Sequence, residues 1–208
     1  MEKNIEVYRE FLSEIDPLLQ YVNLSEESKV LNMNRLTNYL ELLKEDIGCE
    51  VVLYDNGEDD RFNEKVFNEK YDTIFNISII SRFESKGQFV ELIQKFKNSI
   101  TEFGLIVLEM DNPDCEDYIK GIESEFENEG VKALTNVKRK GDLMEYSLKV
   151  ESEGAILIDK KDEYPVISLN DIEQILEENE MYLLDVFSDY KLHKFNKETS
   201  ERMILIFK

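Results

Sequence analysis

The chain has 208 residues, 46 of them acidic and 25 basic, for a formal net charge of -21 at pH 7. This length suits one domain, or one with an embellishment, and the charge gives a surface potential that repels phosphate backbones, so nucleic acid is excluded as a partner. Two distant cysteines, Cys49 and Cys115, and a single histidine, His193, exclude the usual Cys/His zinc sites and a disulfide framework.

The first residues, MEKNIEVYREFLSEIDPLL, carry charges where a signal peptide has its apolar run. No stretch reaches about 18 uninterrupted apolar residues, so no membrane partner is expected and a cytoplasmic location is. Residues 2–22 place Ile5, Tyr8, Phe11, Leu12, Ile15, Leu18 and Leu19 at three- and four-residue steps, the stripe of an amphipathic helix. The aromatics Tyr8, Phe11, Tyr21 and Tyr39 lie on such stripes and are expected to pack. KVLNM (29–33) reads as a strand, LTNYLELLKEDI (36–47) as a helix stopped by Gly48, and EVVLY (50–54) as a strand ending at Asp55. Residues 61–70 are polar, with Phe62, Val66 and Phe67 to bury, and predict a loop or one poor helix.

The stretch from Tyr71 to Asp111 organises the rest. A β-branched and apolar run from Thr73 to Ile80 is followed by Phe89, Leu92, Ile93, Phe96 and Ile100 at helical spacing. Gly104 and a second apolar run, Leu105–Leu108, follow. Near-continuous apolar strands flanking one helical stripe predict a βαβ unit in a parallel sheet with both faces covered. Cys115, Tyr118, Ile119, Ile122 and Phe126 then predict a helix running to Gly130. Residues 131–168 hold three stretches separated by Gly141-Asp142 and Ser152-Glu153-Gly154, an antiparallel meander inserted in a single domain of residues 1–208. Asn170 is expected to cap a helix with Glu173 as its capping-box acid, and strands 181–187 and 202–207 close the chain.

This order of elements resembles that of class I S-adenosylmethionine-dependent methyltransferases of the small-molecule type, over almost the whole chain. The most specific match is the C-terminus, where Ser188, Asp189, Tyr190, Phe195, Ser200 and Arg202 stand at the family's Gly/Ser-Asp-Tyr/Phe loop, later Phe and Ser/Arg pair. The resemblance implies an α/β, Rossmann-like fold. Its mostly parallel sheet would be flanked by helices and end in an antiparallel hairpin, with ligands outside the carboxyl ends of the strands. In the family's loop D-x-G-x-G-x-G, the acid falls on Asn32 and the glycines fall on Asn34, Leu36 and Asn38. Glycine lets the backbone touch the cofactor, and Leu36 would put a branched side chain there. Only fifteen residues separate Asp55 from Tyr71, where the family has a further helix and strand.

By the same resemblance Asn32, Asn34, Asp55 and Asn76 are the cofactor-binding positions, if a cofactor binds. Asp55 falls where the family keeps an acid for the ribose, and an Asp before Asn-Gly is also ordinary turn chemistry. Glu109 and Asp111, with Asn76 and Ser78, would line the crevice, although Asp111-Asn112-Pro113 is also a loop signal. His193 sits between lysines and is expected to be solvent-exposed; Lys138-Arg139-Lys140 is expected at a hairpin tip. The function expected is a degenerate methyltransferase-like binding or scaffold protein that takes no S-adenosylmethionine. The alternatives are an active enzyme with a divergent loop and an acidic module for a basic partner. The partner would be a protein or small molecule, and the insertion's strand edges predict a homodimer.

Overall fold

The computed structural model describes residues 14–33, 47–54, 64–77, 83–128 and 130–208. A six-stranded sheet runs β2-β1-β3-β4-β10-β9, with β1 (Lys29–Asn32), β2 (Glu50–Leu53), β3 (Tyr71–Asn76) and β4 (Ile100–Asp111) mutually parallel. The last strand, β10 (Arg202–Phe207), is antiparallel to both β4 and β9 (Leu183–Phe187).

Successive side chains of a strand point to opposite faces, and here both faces are covered. On one, Leu31, Ile74, Ile106, Leu108, Leu205 and Phe207 meet Phe89, Leu92, Ile93 and Phe96 of a helix spanning Lys86–Ser99, together with Ile172, Ile175 and Leu176 of a second helix, Leu169–Glu178. On the other, Val30, Phe75, Val107, Ile204 and Ile206 meet Ile15, Leu18, Leu19 and Val22 of helical residues 14–22. The remainder of the N-terminal stripe, including Tyr8 and Phe11, and Tyr39 of the expected helix 36–47 lie outside the described residues.

The βαβ unit folds as the periodicity predicts, with one boundary moved. Ile100 caps the helix in an extended conformation and opens β4, so the strand starts five residues before the apolar run. Register between β3 and β4 shifts there, and a Cβ on Gly104 would lie 2.7 Å from Ile100 Cγ1 and 3.0 Å from the Asp72 carbonyl. Glycine is what lets the two strands approach. Residues 64–68 form a single 3-10 turn, held by Tyr71 Oη donating to the Val66 carbonyl (2.8 Å) and Ser99 Oγ donating to that of Phe67 (2.9 Å).

Two helix expectations are corrected. The helix after Asp111 spans only Glu116–Lys120; Gly121, at φ +94, ends it, and Ile122–Asn128 forms strand β5. IESEFEN alternates apolar or small residues with glutamates, and this two-residue period prevails over the four-residue step from Ile122 to Phe126. The later helix is capped by Ser168, not Asn170: Ser168 Oγ accepts from the Asp171 amide, and the Asp171 carboxylate accepts from the Ser168 amide. Asp171, not Glu173, therefore completes the capping box.

β5 pairs with the expected meander, β6 (Val131–Lys140), β7 (Leu143–Ser152) and β8 (Ala155–Pro165), in an antiparallel sheet of four strands. Cross-strand partners share a face. One face carries the rows Phe126–Ala133–Val150–Ile158 and Ser124–Thr135–Leu148–Lys160. The other carries Glu125–Leu134–Lys149–Asp159 and Glu127–Lys132–Glu151–Ile156. Lys132–Glu125 and Lys140–Glu145 pair at 2.8 and 2.7 Å on this charged face. At the base of the sheet, Met144 and Tyr164 pack with Cys115, Tyr118 and Val166.

Candidate functional site

The parallel register brings the carboxyl ends of β1, β3 and β4 together: Asn32 lies beside Phe75, and Asn76 beside Leu108. Asn32 and Asn76 are thus brought to one edge of the sheet. Asn32 is fully buried, and its carbonyl accepts from the Tyr54 amide at 2.8 Å. Asn76 is half-buried at the end of β3. Asn34, Leu36, Asn38, Asp55 and Ser78 lie outside the described residues.

Glu109 and Asp111 share one face of β4 and are buried, 3% and 7% exposed. Glu109 accepts from the hydroxyl of Tyr190 and from the Arg202 guanidinium at 3.0 Å. Asp111 accepts from the hydroxyls of Tyr118 (3.0 Å) and Tyr164 (2.9 Å). Burial and the neighbouring Asp111 carboxylate both push the Tyr118 hydroxyl well above an ordinary tyrosine pKa. The first acid thus ties the C-terminal hairpin to β4, and the second ties the antiparallel sheet to it.

Asn112 extends this lock, its side-chain amide donating to the carbonyls of Lys197 and Ser200, both at 2.7 Å. Ser200 Oγ accepts from the Asn196 amide (2.9 Å), and Phe195 packs on the core. Of the C-terminal residues that carry the family resemblance, Tyr190, Ser200 and Arg202 therefore fasten to Glu109 and Asn112 at the end of β4. Asp189 makes a local turn, accepting from the amides of Lys191 (2.9 Å) and His193 (3.2 Å). His193 is exposed as expected, its ring Nδ1 2.6 Å from Asp189. Burial alone would raise the Asp189 pKa, but the hydrogen bonds from His193 hold it below the usual carboxylate range.

Beyond the end of β4, Phe83, Met110, Asp111, Met144, Tyr164 and Ile167 line a cavity of about 20 Å3, room for about one water. Its lining is mostly apolar, its two polar groups, the Asp111 carboxylate and the Tyr164 hydroxyl, are bonded to each other, and it is too small to hold a small-molecule ligand as it stands. Asp111 alone of these was singled out from sequence. Tyr164 sits two residues inside the turn to Val166, where only the Tyr-Pro pair could have drawn notice. The basic cluster is structural: Arg139 donates to the Pro113 carbonyl (2.9 Å) and pairs with Asp114 (2.6 Å), and Lys140 pairs with Glu145. Among the described residues no group of three or more His, Cys, Asp or Glu side chains could hold a metal ion, and no helix is long and apolar enough to cross a membrane.

Solved structures with the same arrangement include methyltransferases, among them S-adenosylmethionine-dependent ones. The CcbJ methyltransferase of Streptomyces caelestis superposes with a TM-score of 0.72 at 14% identity, over 93% of this chain and 94% of that one. A methyltransferase of Clostridium acetobutylicum gives 0.63 at 14% identity, covering 100% and 98%. The sugar N-methyltransferase KedS8 of a Streptoalloteichus species gives 0.62 at 10% identity, covering 99% and 92%. No protein-family model and no curated protein sequence matches the chain. The molecule therefore has the class I S-adenosylmethionine-dependent methyltransferase fold, a Rossmann-like α/β sheet with an added antiparallel sheet.

Proposed function

We propose that this chain is a methyltransferase-fold protein that has given up useful S-adenosylmethionine binding and works as a binding or scaffold protein for a small molecule or protein. The reading rests on the resemblance, which aligns Asn34, Leu36 and Asn38 with the three glycines of the family's cofactor loop and Asn32 with its acid. The donor set at the strand ends supports it, for β1 and β3 offer the amides Asn32 and Asn76, and the β4 carboxylates are each engaged by two side-chain donors. Among the described residues β2 is the outermost strand of the sheet.

A second reading, an active small-molecule methyltransferase with a divergent loop, is favoured by the near-full-length likeness. Its acceptor would be a small polar molecule of the amino-sugar kind, by analogy with KedS8. Calorimetric titration with S-adenosylmethionine and with S-adenosylhomocysteine separates the two. The first reading predicts no saturable heat at millimolar ligand; a saturable isotherm with a micromolar Kd replaces it with the second.

A further inference from the structure

We propose that a groove at the amino-terminal end of β4, across the sheet from the edge that holds Asn32 and Asn76, binds a small zwitterion of the amino-acid kind with an apolar side chain. Its volume is about 400 Å3, against about 20 Å3 for the cavity beside Tyr164, and lies in the range of small-molecule sites. The site goes beyond the cofactor-loop reading and does not depend on it.

Strand register makes the groove. Phe207 of β10 pairs with Ile106, and β4 runs on to Ile100, which stands beside Tyr71 of β3. β9 begins at Leu183, and the backbone of the preceding Tyr182 is bonded to that of Lys208 in both directions, at 2.7 and 3.1 Å. Ile100–Glu102 and Tyr182 both line the opening left there. Ile100 and the buried Met181, each packed with the core, are its apolar part. Tyr182, 66% exposed although its backbone is fixed, adds an aromatic surface.

Three lysines reach the groove from separate elements: Lys70 just before β3, Lys97 in the last turn of the helix Lys86–Ser99, and Lys208 just after β10. Lys97 is paired with Glu180 at 2.6 Å. Glu180 follows the helix Leu169–Glu178 at φ +56, the left-handed conformation that usually falls to glycine at a helix end, so its side chain is held in the lining against backbone strain. This pair is complete without a ligand. The other charges have no ion partner among the described residues: Lys70 donates to the Ile100 carbonyl (3.1 Å), and Lys208 and Glu102 are exposed. Two cations and one anion beside an apolar floor complement a carboxylate, an ammonium and an apolar body. The carboxylate is assigned to Lys70 and Lys208, the ammonium to Glu102, and the side chain to Tyr182 and Met181.

Titration of the full chain with L-phenylalanine, 3-phenylpropionate and phenethylamine, followed by backbone amide NMR shifts, tests this. The three probes share one ring, and the second and third lack the ammonium and the carboxylate in turn. The expected result is a saturable shift at Thr101, Glu102 and Tyr182 with a millimolar Kd for phenylalanine. Phenylpropionate should bind more weakly and phenethylamine most weakly, because two lysines serve the carboxylate and one acid the ammonium. The Lys70→Ala, Lys208→Ala double variant should weaken phenylalanine at least tenfold and Glu102→Gln at least threefold, while Lys120→Ala, on the helix Glu116–Lys120, leaves it unchanged. If the double variant fails to fold, Glu102→Gln and the order of the three probes decide. No saturable shift with phenylalanine at tens of millimolar, shifts confined to the amides around Asn32 and Asn76, phenethylamine binding as tightly as phenylpropionate, or indifference to the groove substitutions would overturn the proposal.

Discussion

The two sheets of this protein solve burial differently. In the parallel sheet, β3, β4 and β10 read TIF, LIVL and MILIF, because helices lie on both faces and nearly every side chain is inside. In the antiparallel sheet, β5 to β7 alternate, and among the described residues the packing lies at the base of the apolar face, around Met144 and Tyr164. A continuous run marks a strand as enclosed without saying by what. An alternating strand marks a sheet with one face turned towards water. The enclosed sheet should therefore hold most of the folding energy and the open one most of the capacity for contact.

The largest effect expected is in the enclosed sheet. Phe207→Ala, at a fully buried position whose ring centroid is 6.5 Å from that of Phe96, should cost about 3 to 5 kcal/mol in urea unfolding. A cost no greater than that of substitutions on the open face would break the comparison. Tyr164→Phe cuts one of the two hydroxyl links from the antiparallel sheet and its helix to Asp111, and should cost about 1.5 to 3 kcal/mol, as hydrogen bonds to charged groups do.

Alkaline pH should act on the same junction. The Tyr118 pKa is raised above the about 10 of an unfolded tyrosine, so above pH 10 the unfolded chain loses a proton that the folded chain keeps. Its contribution is complete below pH 10 and declines as pH rises towards the folded value. Unfolding free energies measured from pH 9 to 12 should fall, and less steeply in Tyr118→Phe. Smallest of all, Phe126→Ser on the open face should change the stability of the chain by under about 0.5 kcal/mol. A larger loss would mean that the face is covered by the chain itself.

Much of this frame was legible in the sequence because burial and periodicity point the same way there. The βαβ unit from Tyr71 to Asp111, the meander after Val131 and the terminal hairpin appear where expected. β5 was misread because Ile122 and Phe126 satisfy both a helical step and alternation, and only Gly121 marks the break. The cap at Ser168 was missed because Asn170 and Glu173 offer a second box two residues later.

The site was legible in outline only. Asn32 and Asn76 arrive together because a parallel register places strand ends side by side. The links Asp111–Tyr164 and Asp111–Tyr118 join three separate elements, 53 residues apart in the first case, through packing that no local spacing encodes.

The measurement that bears most directly on the account is the melting temperature with and without millimolar S-adenosylmethionine. Ligand at a hundred times its Kd stabilises a folded protein by about 2.7 kcal/mol, and a chain of this size gains about 2 to 4 °C per kcal/mol. True binding would thus raise the midpoint by about 5 to 11 °C. With Asn34, Leu36 and Asn38 in the loop the account predicts no shift beyond noise, and a saturable rise of several degrees would contradict it.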